Sequence, residues 1–152
     1  MSGLYNAAAH AVMSSNRMLV LAITASLSAQ ILKVPAHYMF RRKWDWGRAV
    51  GAGGMPSSHS AMVTSLATAV GYVEGWHSAL FAIVTVFALI VLYDAVGIRQ
   101  AVGRQGRFLN EMQREPEWGD WPRAHLPELV GHTPAEVLAG AVWGILLTIV
   151  FY

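Results

Sequence analysis

The chain has 152 residues, of which 55% are hydrophobic and only 13% are charged. A soluble domain of this length carries about a quarter charged residues, so part of this surface is expected to meet lipid. The same composition excludes intrinsic disorder, which needs low hydrophobicity and high charge. The absence of cysteine excludes disulfides, thiolate nucleophiles and cysteine-ligated metals. The net charge of +2, without a dense basic tract, argues against nucleic acid as a partner.

Four apolar stretches predict an all-α integral membrane bundle of about four transmembrane helices, forming one domain over residues 1–152. They cover residues 18–32, 49–73, 75–93 and 137–152, and a membrane helix needs about 20 apolar residues. A short amphipathic helix is predicted over residues 4–15, before the first stretch. The second helix is expected to begin near Ser57. Its hydroxyls recur at helical spacing and are expected to face protein or a polar cavity: Ser60, Thr64, Ser65 and Thr68.

Residues 100–131 form a polar insertion between the third and fourth stretches, and residues 99–114 are predicted to extend the third helix. Ten of the eleven basic residues lie either between the first and second stretches or between the third and fourth. The positive-inside rule therefore places both basic segments in the cytoplasm and both termini outside. The sequence thus predicts a functional face that is cytoplasmic and meets anionic headgroups, and a bacterial inner membrane is the expected location. Tryptophans flanking these segments indicate an interfacial belt; they are Trp44, Trp46, Trp118 and Trp121.

The first candidate for chemistry is the segment Gly53-Gly54-Met55-Pro56-Ser57-Ser58-His59-Ser60. Its glycines allow a tight turn, and the following helix start presents free amide donors beside the hydroxyls of Ser57 and Ser58. Such a helix N-terminus attracts anions, and His59 there could protonate a leaving oxygen. A simple helix cap explains the same pattern equally well.

The second candidate is Gly131-His132-Thr133-Pro134-Ala135-Glu136. Thr133, Pro134 and Glu136 fit the positions of a capping box, which already accounts for the carboxylate. The alternative is that Glu136 binds one imidazole nitrogen of His132 and leaves the other as a nucleophile. Because His132 precedes the helix, this second interpretation requires the turn to fold back.

Basic residues at the ends of the apolar stretches are candidate phosphate ligands: Lys33, Arg48, Arg99 and Arg104. Arg41, Arg42 and Lys43 are interpreted as membrane anchors. Asp94 follows 19 uncharged residues and is expected to pair with an arginine, because an isolated carboxylate at that depth is costly. Small residues four apart, such as Gly140 and Gly144, predict close helix packing. The histidines at 10, 37, 77 and 125 join neither motif, and no metal-binding motif such as HExxH is present.

In this order, Gly53–Ala61 and Gly131–Val137 resemble the GGMPSSHSA and GHTP-EV motifs of the divergent branch of the type 2 phosphatidic-acid phosphatase superfamily. The resemblance covers roughly residues 27–147. It implies a metal-independent, cofactor-free hydrolysis of a phosphomonoester on a lipid, of the phosphatidic acid, phosphatidylglycerophosphate or prenyl phosphate type. By similarity His132 would attack phosphorus, Glu136 would orient it, and His59 would protonate the leaving alcohol. The serine turn, the basic residues and Asp94 would form the phosphate site.

The sequence departs from the superfamily pattern in the residues that would hold the phosphate. Leu126 stands six positions before His132, where the superfamily has a Ser-Arg pair, and Arg99 is a candidate replacement. With fewer than the usual six helices, the bundle could be completed by a second copy of the chain, as a homodimer or higher homo-oligomer. Two other functions stay open at this point. One is a non-enzymatic lipid-phosphate binder or structural partner, and the other is a transporter or channel using Asp94 and the histidines as a proton path.

Overall fold

The computed structural model describes residues 2–49, 51, 53–114, 125–126 and 131–152, and the side chains at 2–15, 40, 48 and 49 lie outside that description. Five α-helices account for most of this part of the chain: α1 (Ser2–Arg41), α2 (Ser58–Glu74), α3 (Ala79–Val96), α4 (Ile98–Met112) and α5 (Pro134–Phe151). A 3-10 helix, Trp46–Ala49, lies between α1 and α2. The described residues contain no strand, which confirms the all-α prediction.

Helix α2 is the centre of the bundle and packs against α1, α3 and α5. Small side chains permit these close approaches, because the core includes Ala25 and Ala29 of α1 together with Ala61 and Ala69 of α2. The hydroxyl face of α2 is buried, including Ser60, Ser65 and Thr68. The prediction that this face meets protein is therefore confirmed.

Helices α2 and α5 touch at the paired glycines of α5. A Cβ added to Gly140 would lie 2.2 Å from the carbonyl oxygen of Ser57, and one added to Gly144 would lie 2.2 Å from that of Ala61. The hydroxyl of Thr64 donates to the carbonyl of Ala141 at 3.1 Å in the same interface. The predicted close packing of small residues is thus confirmed, and the Thr64 hydroxyl finds a partner on the neighbouring helix.

Large apolar side chains lie outside this core, which is the reverse of a soluble protein. On α3, Ala88 and Ala95 are buried, whereas Ile83, Phe87 and Ile90 are more than half exposed. Within the described residues, three spans are long and apolar enough to cross a membrane: Asn16–Met39, Ala79–Met112 and Pro134–Phe151. An outer surface of this kind is stable in hydrocarbon and would aggregate in water. The fold is that of a membrane helical bundle.

The structure changes the predicted boundaries of the first helix at both of its ends. Helix α1 runs unbroken through residues 4–15 and on past Lys33 and Pro35 to Arg41, so the N-terminal helix is not a separate element. Membrane helices tolerate an internal proline because neighbouring groups satisfy the freed backbone. The predicted extension of the third helix is observed, with Gly97 joining α3 directly to α4.

Aromatic rings cluster at both ends of the bundle. At one end Tyr38 stacks on Trp44 with ring centroids 4.5 Å apart, and Trp44 stacks on Trp46 at 6.0 Å. At the other end Tyr72 stacks on Tyr152 at 4.8 Å. Aromatic belts mark the two membrane–water interfaces; the predicted belt members Trp118 and Trp121 lie outside the described residues.

Candidate active site at the basic end of the bundle

Backbone hydrogen bonds bring the two histidine motifs together at one end of the bundle. The amide of Ser57, at the start of α2, donates to the carbonyl of Glu136 in the first turn of α5 at 3.0 Å. The amide of His132 donates to the carbonyl of Ala95, near the end of α3, at 3.0 Å. From α1, the ammonium of Lys33 reaches the carbonyl of Gly51 at 3.4 Å. Segments far apart in sequence therefore meet where the basic loops begin.

The turn before α2 has the conformation that its glycines predict. Gly53 and Gly54 adopt φ angles of 88° and 86°, a left-handed region that other residues rarely enter. Ser57 is the N-cap of α2, and its hydroxyl accepts from the amide of Ser60 at 3.3 Å. The buried side chains of Ser57 and Ser58 lie beside the helix start. The capping interpretation of Ser57 is confirmed, and phosphate binding by both serines stays a prediction.

His132 and Glu136 form the pair that the four-residue spacing suggested. Nδ1 of His132 lies 3.1 Å from Oε2 of Glu136, and the ring is buried at 5% exposure. The same carboxylate oxygen accepts from the amide of Thr133 at 3.2 Å, while the Thr133 hydroxyl accepts from the Glu136 amide. The capping box and the orienting contact are therefore compatible. The Glu136 carboxylate makes both contacts, and because it engages Nδ1 of His132, Nε2 is the ring nitrogen left available to react.

Gly131 explains how the turn folds back to make this contact. Its φ angle is 89°, and an added Cβ would lie 2.3 Å from the backbone nitrogen of Gln100. Only glycine fits this close passage against the α3–α4 junction. The junction consequently holds His132 in place from one side.

His59 lies in the first turn of α2, outside the three candidate membrane spans, and is only partly exposed. Partial burial lowers its pKa first, and electrostatic repulsion by Arg99, by the imidazolium form of His132 and by Lys33 lowers it further. Coulombic effects of this kind act between near neighbours. The two histidines, one arginine and one lysine therefore share one electrostatic environment.

Asp94 pairs with Arg99, as expected from its position after a long apolar stretch. Nε of Arg99 donates to Oδ2 of Asp94 at 2.8 Å. The carboxylate thus fixes the Arg99 guanidinium, and direct phosphate contacts of either residue stay predictions. Leu126, at the position of the superfamily Ser-Arg pair, forms two backbone hydrogen bonds of 2.9 Å with the Asn110 side chain.

Two predicted phosphate ligands are not placed at the site. Arg104 is exposed on α4, five residues after Arg99. At 3.6 residues per turn the two side chains leave the helix about 140° apart, so they do not share a face. The backbone of Arg48 belongs to the 3-10 helix, and its side chain lies outside the described residues. Phosphate binding by both arginines stays a prediction.

The structure adds two residues that sequence analysis left out. A cavity of about 320 Å³ lies beside Glu136, and its α1 wall carries Lys33, His37 and Arg41. These side chains are four residues apart on one helical face, which is a signal present in the sequence. The sequence-based prediction does not use this signal, because the first apolar stretch ends at residue 32, and it interprets Arg41 as an anchor and His37 as unpartnered.

The fold and the site together define a membrane helical bundle that carries a carboxylate-paired histidine, a second histidine and several cations at one end. Comparison with known proteins identifies the family to which the chain belongs. A sequence model of the Divergent PAP2 family matches residues 14–147, so the chain belongs to the Divergent PAP2 family.

A relative in Bacillus subtilis (strain 168), named the uncharacterized membrane protein YuiD, is 40% identical over 148 residues. The match covers 90% of this chain and 94% of the relative. No solved structure matches the chain.

Proposed function

We propose that this protein is a lipid-phosphate phosphatase that hydrolyses a phosphomonoester through a phosphohistidine. The observation that carries the proposal is the contact between Nδ1 of the buried His132 and Oε2 of Glu136. An imidazole held through one nitrogen by a carboxylate presents the other nitrogen with a fixed direction and a lone pair, as nucleophilic catalysis requires. The neighbouring cations supply the attraction for a phosphate dianion.

In the first half-reaction, Nε2 of His132 attacks phosphorus and forms a P–N bond while the P–O bond to the lipid alcohol breaks. Protonated His59 gives its proton to the leaving alkoxide, so that the lipid departs as a neutral alcohol. The Glu136 carboxylate stabilises the positive charge that develops on His132. A positioned general acid contributes roughly a hundredfold to ten-thousandfold in rate.

In the second half-reaction, a water molecule attacks the phosphohistidine and neutral His59 accepts its proton. The P–N bond breaks, inorganic phosphate leaves, and both histidines return to their starting states. No group other than water is consumed, and no metal or cofactor is needed in this scheme.

Positive charge around His59 suits this cycle. Arg99, His132 and Lys33 lower its pKa in the free protein, which makes its imidazolium a stronger acid. A bound phosphate dianion offsets these charges and therefore favours the protonated form that the first step needs. Arg99, held by Asp94, and Lys33 are the proposed stabilisers of the phosphoryl oxygens.

We further propose that the site faces the cytoplasm of a bacterial inner membrane. The site lies at the end where the basic loops leave the bundle, whereas Arg17 at the other end donates to the carbonyl of Phe151. The chain has no cysteine, so single cysteines can be labelled without background. In intact cells a membrane-impermeant maleimide should label His77→Cys and spare Lys43→Cys. The reverse pattern would invert the orientation.

The activity test is phosphate release by the purified protein from phosphatidic acid, phosphatidylglycerophosphate and a prenyl phosphate in mixed micelles. We expect turnover that resists chelators, is inhibited by vanadate and disappears in His132→Ala. Brief incubation with a ³²P-labelled substrate should label the wild-type protein with an acid-labile phosphate, and His132→Ala should stay unlabelled. Absence of turnover on every substrate would reject the phosphatase.

Two alternatives predict other results. A lipid-phosphate binder would retain substrate without releasing phosphate. A proton-coupled transporter would need Asp94 as a proton carrier, whereas the structure engages this carboxylate with Arg99 at 2.8 Å. The homo-oligomer expected from the small number of helices stays a prediction, which the mass of the detergent-solubilised protein would test.

A further inference from the structure

An apolar groove of about 390 Å³ runs between α1 and α5. Its α1 wall includes Leu32 and Met39, and its α5 wall includes Ala139 and Trp143. Both helices contribute candidate membrane spans, and Met39 is exposed on the outer surface of the bundle. The groove therefore opens toward the region that the bilayer hydrocarbon occupies.

The groove adjoins the polar cavity beside Glu136. Ala36 of α1 and Met55 of the glycine turn line both spaces. The apolar groove thus leads directly to the polar cavity, whose lining includes Lys33, His37 and Arg41. Ligand sites commonly combine such an apolar lining with a few polar groups that fix orientation.

Building on the function proposed above, we infer that this groove holds a hydrocarbon chain of the substrate, with the phosphate at the Glu136 side of the adjoining cavity, where that carboxylate contacts His132. The lipid then enters sideways from the bilayer between α1 and α5, and acyl or prenyl chains meet the same apolar walls. The polar cavity at the end of the groove favours a phosphorylated lipid over bulk lipid, because its cations attract the phosphate group.

A hydrogen bond between α5 and α1 fixes one wall of the groove. The indole nitrogen of Trp143 donates to the hydroxyl of Ser28 at 2.9 Å, which ties α5 to α1 and holds the ring in one orientation. A chain that leaves the bilayer for this groove exchanges one apolar environment for another, so burial gives little net affinity. The contribution of the groove is therefore orientation of the phosphate relative to His132, which appears in kcat/KM.

The test uses the variants Ala139→Leu and Ala139→Trp, whose larger side chains fill the groove progressively. Each variant is assayed with a dioleoyl and with a dihexanoyl phosphatidic acid as substrate. The matched control is Leu138→Trp, because Leu138 is the adjacent residue of α5 and is 66% exposed on the outer surface. We expect Ala139→Trp to lower kcat/KM for the long-chain substrate at least tenfold relative to the short-chain substrate, with Ala139→Leu intermediate. Leu138→Trp should keep the wild-type ratio. An unchanged ratio in Ala139→Trp would overturn the inference while leaving the phosphatase intact.

A second measurement does not depend on turnover. A long-chain alkyl phosphonate with a mid-chain diazirine is photo-crosslinked in micelles, and the labelled residues are located by mass spectrometry. Preferential labelling of Met39, Ala139 or Trp143 by the phosphonate over the corresponding alcohol supports the groove, even if no lipid phosphate is hydrolysed. Equal labelling by both probes, spread over Leu138 and other lipid-facing positions, would reject it.

Discussion

Gly140 of α5 lies so close to Ser57 of α2 that a Cβ at position 140 would stand 2.2 Å from the Ser57 carbonyl oxygen. Ser57 caps the helix whose first turn carries His59, and four residues before Gly140 is Glu136. The glycine therefore sets the distance between the two halves of the proposed site. Packing and chemistry depend on the same helix crossing.

Gly140→Ala should consequently disturb both stability and activity. Overpacking of a tight contact costs about 1–3 kcal/mol, which outweighs the gain of up to about 1 kcal/mol in helix propensity. Displacement of α2 should also reduce kcat at least about tenfold, because small misplacements of reacting groups are costly. Unfolding in detergent and phosphate release are the measurements. Leu138→Ala, on the exposed side of the same helix, should change neither; wild-type behaviour of Gly140→Ala would contradict this account.

Glu136 and Thr133 share a capping box, yet their substitution should have different effects. Thr133→Ala removes the hydroxyl that accepts from the Glu136 amide, which costs about 1 kcal/mol of stability and leaves the carboxylate on His132. Glu136→Gln preserves an acceptor for the Thr133 amide but removes the charge facing the imidazole. We expect a loss in kcat on the order of a hundredfold or more for Glu136→Gln, measured alongside thermal unfolding. Equal losses of activity in the two variants would show that the cap alone matters.

The pKa of His59 provides a test that needs no substrate. Its value should lie below the ordinary 6.5 because burial and nearby positive charges disfavour the imidazolium. Arg99→Gln removes one of these charges, so the pKa should rise toward the ordinary value. NMR titration of ¹³C-labelled histidine in detergent measures the change, with His59→Gln used to assign the signal.

Arg104→Gln is the matched comparison for this titration, since Arg104 leaves α4 about 140° around the helix from Arg99. The His59 midpoint should stay at the wild-type value in this variant. The general-acid role also fixes the sign of the pH profile: kcat/KM should fall as pH rises through the pKa of His59, because the free enzyme then loses the proton that the leaving group needs. A profile that rises across this range would remove His59 from the acid role.

Lys33 should determine the affinity for phosphate more strongly than the exposed lysine of the following loop. Its side chain is buried at 2% exposure and lines the cavity beside Glu136, where water screens charge weakly. Lys33→Met retains much of the side-chain length and should weaken inhibition by vanadate at least tenfold. Lys43→Met, at an exposed position, serves as the control. Similar inhibition constants in both variants would place the phosphate elsewhere.

Local patterns in the sequence were sufficient for the features that depend on neighbouring residues. Composition identifies a membrane bundle because too few charges are available to cover a soluble surface. Thr133, Pro134 and Glu136 predict the N-terminus of α5, and the structure shows the capping box that they form. The spacing of Gly140 and Gly144 likewise predicts a close helix contact. Each of these follows from chemistry within one or two helical turns.

The choice between alternatives required the tertiary structure. Four-residue spacing alone could not decide whether Glu136 caps a helix or orients His132, and the folded turn shows that one oxygen does both, because Gly131 passes against the α3–α4 junction. The cavity wall formed by His37 and Arg41 depends on α1 continuing past Pro35, which neighbouring helices make possible in a membrane. Sequence periodicity describes one helix at a time, whereas a site is defined by which faces meet. That meeting is set by contacts between residues far apart along the chain.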